Sequence, residues 1–304
     1  GIPGVVLGHN DRIAWATTNA MATISSMFEA HRLDRRSWKR ELFRVRFSRD
    51  VVKGYYRTVR EFGVTASTRN GIALVRWAPY SDTRSAVSTA LLLDRARDVR
   101  EALRDLSRYA GPSQNFLIAG PRGEVAYHLA GPIPNDPAWS RYVHPWQELR
   151  QSFRAIPYAL LPAVMPSRSA VVLSANNKMY GDGYPYRLSP MFAPPYRAYR
   201  IASLLHARAR YDIGYFARMQ RDTSSPADAE FAHRLATYAR THSNVLPASA
   251  AQKLARWNGV FSPESQAATL EHTLRLAAED ISPSPYAALE LSLIHISEPT
   301  RQAE

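Results

Sequence analysis

The first third of the chain alternates apolar and polar positions with a period of two. Val5-Val6-Leu7 runs into Gly8-His9-Asn10-Asp11 and then into Arg12-Ile13-Ala14-Trp15-Ala16-Thr17-Thr18. That pattern predicts strand, polar turn, strand, with Ile13 and Trp15 on one face. Further strand-like runs lie at 26–33, 42–47, 55–59 and 72–77. Over 94–109 the period becomes helical, with Val99, Leu103 and Leu106 on one stripe, and Gly111-Pro112 stops it. Residues 115–119 and 125–129, either side of Pro121-Arg122-Gly123-Glu124, predict a β-hairpin. The segment from Gly131 to Pro137 is a proline-rich rigid loop. Another strand is predicted at 170–175, ending in Asn176-Asn177 and a Gly181-Asp182-Gly183 loop.

After that loop the pattern turns helical. Residues 197–208 carry Ile201, Leu204 and Leu205 at helical spacing, and Ser225-Pro226 supplies an N-cap and a first-turn proline. Helices are also predicted at 247–257 and 263–278, each opening with proline. Strands come first and helices follow. The fold class this predicts is α+β, with helices layered on antiparallel sheets.

Composition narrows the function classes. The chain has 304 residues, 45% of them apolar, enough for a sizeable core. No apolar run is long enough to span a bilayer. There is no cysteine, which excludes disulfides, thiol nucleophiles and cysteine-based metal sites. The net charge of +13 invites a nucleic-acid reading. The basic residues are nearly all arginine and are spread along the chain, with lysine only at 39, 53, 178 and 253. The densest run, His31-Arg32-Leu33-Asp34-Arg35-Arg36-Ser37-Trp38-Lys39-Arg40, reads as a solvated turn rather than a nucleic-acid arm. No His-x-x-x-His or His-Glu-x-x-His spacing occurs, so no histidine metal site is predicted.

Four segments carry a resemblance. They are Gly1-Ile2-Pro3-Gly4-Val5-Val6-Leu7-Gly8-His9-Asn10 with Ile13-Ala14-Trp15 and Thr18-Asn19; Gln114-Asn115 through Gly123, Tyr127 and Gly131; Ala175-Asn176-Asn177 with Tyr184-Pro185-Tyr186 and Pro195-Tyr196-Arg197-Ala198, then Arg200-Ile201; and Met219-Gln220-Arg221-Asp222 with Ser225. In this order and spacing they resemble the penicillin acylase family of N-terminal-nucleophile hydrolases. The resemblance implies an αββα sandwich, with residues 1–290 as part of a β-chain catalytic domain. Residues 291–304 are expected to be a non-native tail, because Ser292-Leu293-Ile294-His295-Ile296-Ser297-Glu298-Pro299-Thr300-Arg301 resembles a translated sequencing adapter.

The family splits linear amides with a β-chain N-terminal serine whose own α-amine acts as base. The resemblance places that serine a few tens of residues before Gly1. The chain is therefore expected to lack the nucleophile and to be inactive alone. What it is expected to keep is the oxyanion machinery: the backbone N–H of Asn19 and the side-chain amide of Asn176, with Arg197 orienting the site. Leu7 and Thr17 match positions that line the family's acyl pocket. Read without the family, Asn19 and Asn176 are also ordinary strand-end turn residues, and Arg197 an ordinary helix-surface arginine. His9 reads as part of the turn rather than as a base.

The implied partners are a small-molecule amide substrate and an α-chain from the same precursor, with no nucleic acid and no membrane. Export to the periplasm is implied by the family alone. No cofactor is expected. Thr23 and Ser26 stand where family members hold calcium with aspartates, so that site is expected to be weakened or lost. An acyl-homoserine-lactone acylase is the alternative within the class, and a non-catalytic basic binding protein the alternative outside it.

Overall fold

Ile13 and Trp15, paired by period in the sequence, are each 3% exposed and face a layer of helices. The computed structural model that shows this describes residues 3–29, 39–47, 51–56, 65–68, 71–81, 86–136, 143–145, 147–148, 154–168, 171–242 and 244–281. It forms two compact units, Gly1–Pro195 and Tyr196–Glu304.

The first unit contains, in chain order, β1 (Gly8–His9), β2 (Ala14–Asn19), β3 (Ser25–Glu29), β4 (Lys39–Arg44), β5 (Val51–Tyr56), β6 (Thr65–Thr68), β7 (Gly71–Trp77), α1 (Ala86–Leu93), α2 (Val99–Leu106), β8 (Gln114–Ala119), β9 (Val125–Ala130), β10 (Val143–His144) and β11 (Ala163–Ser167). Five strands form an antiparallel sheet in the order β1-β2-β8-β9-β11. A second sheet runs β10-β3-β7-β6, and β4 pairs with β5 alone. On one face of the five-stranded sheet, Ile13, Trp15, Phe116 and Ile118 pack against Leu93, Val99, Leu103 and Leu106 of the two helices. On the other face, Tyr127 and Leu129 pack with Ile133, Ile156, Leu161 and Leu188. Alternate residues of β8 and β9 thus serve two different cores, as strand geometry requires.

The predicted hairpin is β8–β9, closed by Gly120 N donating to the Glu124 carbonyl at 2.8 Å. Gly123 makes its turn at φ +84°, a conformation that a side chain disfavours. The predicted run 72–77 lies within β7, and 26–33 survives as β3, with 30–33 outside the described residues. The 42–47 run begins earlier, as β4, and ends in Phe47 at φ +65°. Of 55–59, the first two residues end β5 and the rest lie outside the described residues. The basic run and the adapter-like tail fall largely or wholly outside them too.

Several expectations are corrected. Val5-Val6-Leu7 is not a strand; the short β1 begins at Gly8. The helix over 94–109 is only α2, because Asp98 caps it by accepting from Glu101 N, and a separate helix, α1, precedes it. Residues 171–174 form no strand; β11, earlier in the chain, takes the place beside β9. Their β-branched composition suits a strand, but the Ser174 hydroxyl and Ala175 N are engaged by side chains instead.

The second unit is helical: α3 (Tyr196–His206), α4 (Ile213–Met219), α5 (Pro226–Thr241), α6 (Ala248–Arg256) and α7 (Gln266–Ile281). Ser225 caps α5 with Pro226 in the first turn, as the sequence predicts. The last helix starts at Gln266 rather than at Pro263, with the Ser265 hydroxyl accepting from Ala268 N at 3.1 Å. Ala232, Ala236, Leu254, Trp257 and Ala268 form its core. Arg200 of α3 holds Asp222 through two hydrogen bonds of 2.6 and 2.9 Å, which keep that carboxyl below its usual range. Among the described residues, no helix is long and apolar enough to cross a membrane.

Candidate active site

The chain's first turn is built by one side chain. Asn10 Oδ1 accepts from Arg12 N and Ile13 N at 2.7 and 2.8 Å, which sets the bend into β2. Its amide nitrogen donates to the carbonyls of Leu93, Asp94 and Ala96, tying the bend to the α1–α2 connection. Trp15 Nε1 donates to the Val5 carbonyl at 3.0 Å, so the segment before β1 is pinned over β2. His9 is exposed and its ring contacts only the neighbouring Asn10 carbonyl among the hydrogen bonds described. It lies in β1, paired with Ala14 of β2.

The far end of β2 carries the first candidate donor. Ala20 N donates to the Ser113 carbonyl, and ladder bonding alternates along an antiparallel strand. The N–H and C=O of Asn19 therefore face away from β8, toward the edge that β1 covers only as far as Trp15. On that side Asn176 Nδ2 donates to the Asn19 carbonyl at 3.0 Å. Asn176 itself sits at φ +65°, a region that asparagine tolerates better than most residues. Its carbonyl accepts from Ala193 N, and the neighbouring Asn177 Oδ1 accepts from Ala175 N. The 176–193 loop is thereby closed at both ends with Asn176 turned toward β2.

A buried polar cluster holds these two segments together. Asn115, 1% exposed near the start of β8, donates to Thr18 Oγ1 and Ser174 Oγ, both at 3.2 Å. A longer contact of 3.4 Å reaches the Asn19 carbonyl. Its Oδ1 accepts from the Tyr127 hydroxyl at 2.8 Å, and burial pushes that phenol's pKa well up. Thr18 Oγ1 and Ser174 Oγ lie 2.6 Å apart. Four chain segments therefore meet around one amide. The reading from sequence quotes Asn115 and Tyr127 as motif residues but assigns them no role. The available signal is a hydrogen-bonding side chain directly before the apolar run Phe116–Ala119.

Beside this end of β2 lies an apolar cavity of about 220 Å³ between α1 and strands β2 and β8. Val5, Val6, Thr17, Val87, Tyr109 and Phe116 are among its lining residues. Gln114, which also lines it, donates to Asn19 Oδ1 at 3.3 Å. The cavity and the Asn19–Asn176 pair are thus neighbours. Of the two expected acyl-pocket residues, Thr17 lines the cavity, whereas Leu7 is 57% exposed and its place is taken by Val5 and Val6. The Trp15–Val5 bond holds the backbone of these earlier residues beside the cavity. Arg197 belongs to the second unit, on the first turn of α3, with its side chain exposed.

Thr23 and Ser26, where the resemblance implies calcium-binding aspartates, flank the start of β3. Thr23 N is used by the Leu188 carbonyl. Ser26 is buried, and its hydroxyl has no hydrogen-bond partner among the described residues. Its cross-strand partner on β7 is Arg76, a guanidinium only 5% exposed. No cluster of three or more potential metal ligands occurs among the described residues.

Residues 1–284 match the family model described as penicillin amidase. Penicillin acylase 2 proenzyme of Pseudomonas sp. (strain SE83) is 26% identical over 295 residues, covering 91% of this chain and 38% of that protein. Acyl-homoserine lactone acylase QuiP of Pseudomonas syringae pv. tomato is 24% identical over 251 residues, covering 74% of this chain and 29% of that protein. The chain thus spans well under half the length of these relatives. Among solved structures, the thermostable penicillin G acylase from Alcaligenes faecalis superposes with a TM-score of 0.63 at 16% identity, over 86% of this chain and 51% of that one. Its fold is that of the N-terminal-nucleophile hydrolases, in accord with the α+β class predicted from sequence. With the family model matched along nearly the whole sequence, this chain belongs to the penicillin amidase family.

Proposed function

We propose that this chain supplies the oxyanion donors and the acyl pocket of an amidohydrolase that cleaves linear amides. The observation that supports it is the 3.0 Å contact of Asn176 Nδ2 with the Asn19 carbonyl, on the edge of β2 toward which Asn19 N–H also turns. A primary amide has two N–H groups, so Asn176 can hold Asn19 and donate to an oxyanion at once. Two preorganised donors around one oxygen are what an acyl-transfer intermediate requires.

In this reading the nucleophile is a serine supplied by a part of the precursor outside this sequence, and it approaches along the open edge of β2. Its hydroxyl attacks the amide carbonyl while its α-amine takes the proton and passes it to the departing amine. The resulting ester is hydrolysed by water. Asn19 and Asn176 stabilise the oxyanion in both halves. The acylated amine of a β-lactam nucleus is the leading substrate, with the ring left intact, and the enzyme works in the periplasm as two chains cut from one proenzyme. Similarity to QuiP supports acyl-homoserine lactones as the second reading.

The test is Asn176→Ala in the complete precursor. Loss of one oxyanion donor lowers kcat by about a hundred- to a thousand-fold with KM little changed. Unaltered kcat in a correctly processed variant removes Asn176 from the chemistry. Comparing turnover of long-chain acyl-homoserine lactones with that of phenylacetyl amides separates the two substrate readings.

A further inference from the structure

The residues after α6 form a strap across the start of α5. The Gly259 carbonyl accepts from Ser225 N at 2.8 Å, and Phe261 N donates to the Thr223 carbonyl at 3.1 Å. Trp257 Nε1 donates to the Val260 carbonyl at 3.1 Å, which fixes the strap from its own side. Ser225 is the residue that caps α5, so the cap and the strap share one backbone bond.

The strap admits only glycine at 259. Its φ is +79°, and a Cβ there would lie 2.7 Å from the Ser225 carbonyl oxygen and 2.9 Å from Ala229 Cβ. The residue before it, Asn258, is exposed, and its Oδ1 accepts from Val260 N at 3.1 Å. Each residue thus has its own structural reason. Together they make an asparagine–glycine pair, and such a pair can react with itself. Gly259 carries no side chain to hinder approach to its nitrogen, and that nitrogen donates no hydrogen bond among the described residues. The Asn258–Val260 bond folds the carboxamide back over the Gly259 peptide. Its donor sits on Oδ1, the atom that takes up negative charge when the nitrogen attacks Cγ.

We propose that Asn258 is a self-modifying site that converts to aspartate and isoaspartate in the folded protein and thereby loosens the cap of α5. The Gly259 nitrogen gives its proton to water and bonds to Asn258 Cγ. The bond from Cγ to the side-chain nitrogen breaks, and that nitrogen takes a proton from water and leaves as ammonia. Water then opens the cyclic imide. Opening at Cγ gives aspartate, and opening at the backbone carbonyl gives isoaspartate, whose main chain is longer by one methylene. A strap lengthened between Trp257 and Gly259 cannot keep the Trp257–Val260 and Ser225–Gly259 bonds in register together.

The mature complete protein is aged at mildly alkaline pH in heavy-oxygen water, folded and unfolded in guanidinium chloride, and mapped by tryptic peptides. The peptide that follows Arg256 gains the mass of an amide-to-acid change with one heavy oxygen, and fragmentation shows isoaspartate. The folded protein reacts at least as fast as the unfolded chain at this position, while Asn115, followed by phenylalanine, is far slower. The aged protein melts a few degrees lower. Asn258→Ser keeps an acceptor for Val260 N and cannot close the ring, so its midpoint holds on ageing. A folded protein that reacts several-fold more slowly than the unfolded chain overturns the proposal. An equal fall in midpoint in aged Asn258→Ser, or isoaspartate with no fall in the parent, overturns the link to the α5 cap.

Discussion

Asn115→Leu tests the amide at the centre of the site. The substitution keeps the volume and removes every hydrogen bond. It leaves the buried Tyr127 hydroxyl without its 2.8 Å acceptor, and it takes a donor from Thr18 and from Ser174. Thr18 and Ser174 still have each other at 2.6 Å, so most of the cost falls on Tyr127. An orphaned buried hydroxyl costs about 1–3 kcal/mol, and the remaining lost bonds bring the expected destabilisation to about 3 kcal/mol. Tyr127→Phe alone orphans Asn115 Oδ1 and costs about 1–2 kcal/mol. With both partners apolar neither orphan exists, so the double variant is more stable than the sum of the single effects by about 1–2 kcal/mol. Urea unfolding of the four proteins at one pH gives the coupling from the shifts in midpoint, provided the slopes agree. Additive single effects would falsify the assignment of Asn115 and Tyr127 as a bonded pair. Turnover by Asn115→Leu should also fall, because the same amide holds β2 to the segment that carries Asn176.

Glu271 on α7 is fully buried, and burial, with Asp228 of α5 adding to it, pushes its carboxyl from 4.5 up to about 7. Arg275 Nε, 3.5 Å away, pulls the other way without prevailing. A raised carboxyl pKa gives stability that is full below pH 4.5 and lost as the pH rises through 7. Glu271→Gln should therefore gain up to about 3 kcal/mol relative to the parent above pH 7 and nothing comparable below 4.5. An effect of equal size on both sides of that window rules out a charge origin. For the Thr23 and Ser26 positions, millimolar calcium or chelator should leave the thermal midpoint of the mature protein unmoved, and a large rise with calcium would refute the reading. Arg76→Met should lower that midpoint whether or not calcium is present.

What could be read from the sequence is what neighbours in sequence decide. Ile13 and Trp15 share a face because strand geometry leaves them no choice, and Ser225-Pro226 starts α5 because cap and first turn are adjacent residues. The hairpin around Gly123 is legible for the same reason. Residues 171–174 mislead because a strand needs a partner, and β11 holds the place beside β9. Helix α1 carries no clear stripe, since of its residues only Thr89 and Leu93 are buried and much of its inner side borders the cavity. Leu7 and Val5 cannot be told apart by type; only the fold shows that Val5, whose backbone is held by an indole ten residues away, borders the cavity. The role of Asn115 depends on Thr18, Tyr127 and Ser174 together, and no local pattern contains all four.

The β8–β9 hairpin closes over a turn of a few residues, but β2 pairs with β8 across a separation of 95 residues at Asn19 and Gln114. Asn176 reaches Asn19 across 157. Contacts this distant in sequence form slowly, because loop closure comes before any stabilisation it brings. On a ribosome β2 therefore emerges before its partners and waits, and the two candidate donors meet only after the hairpin, the second core and the 176–193 loop have been made. Assembly of the oxyanion pair is in that sense a report that the rest of the unit has already folded.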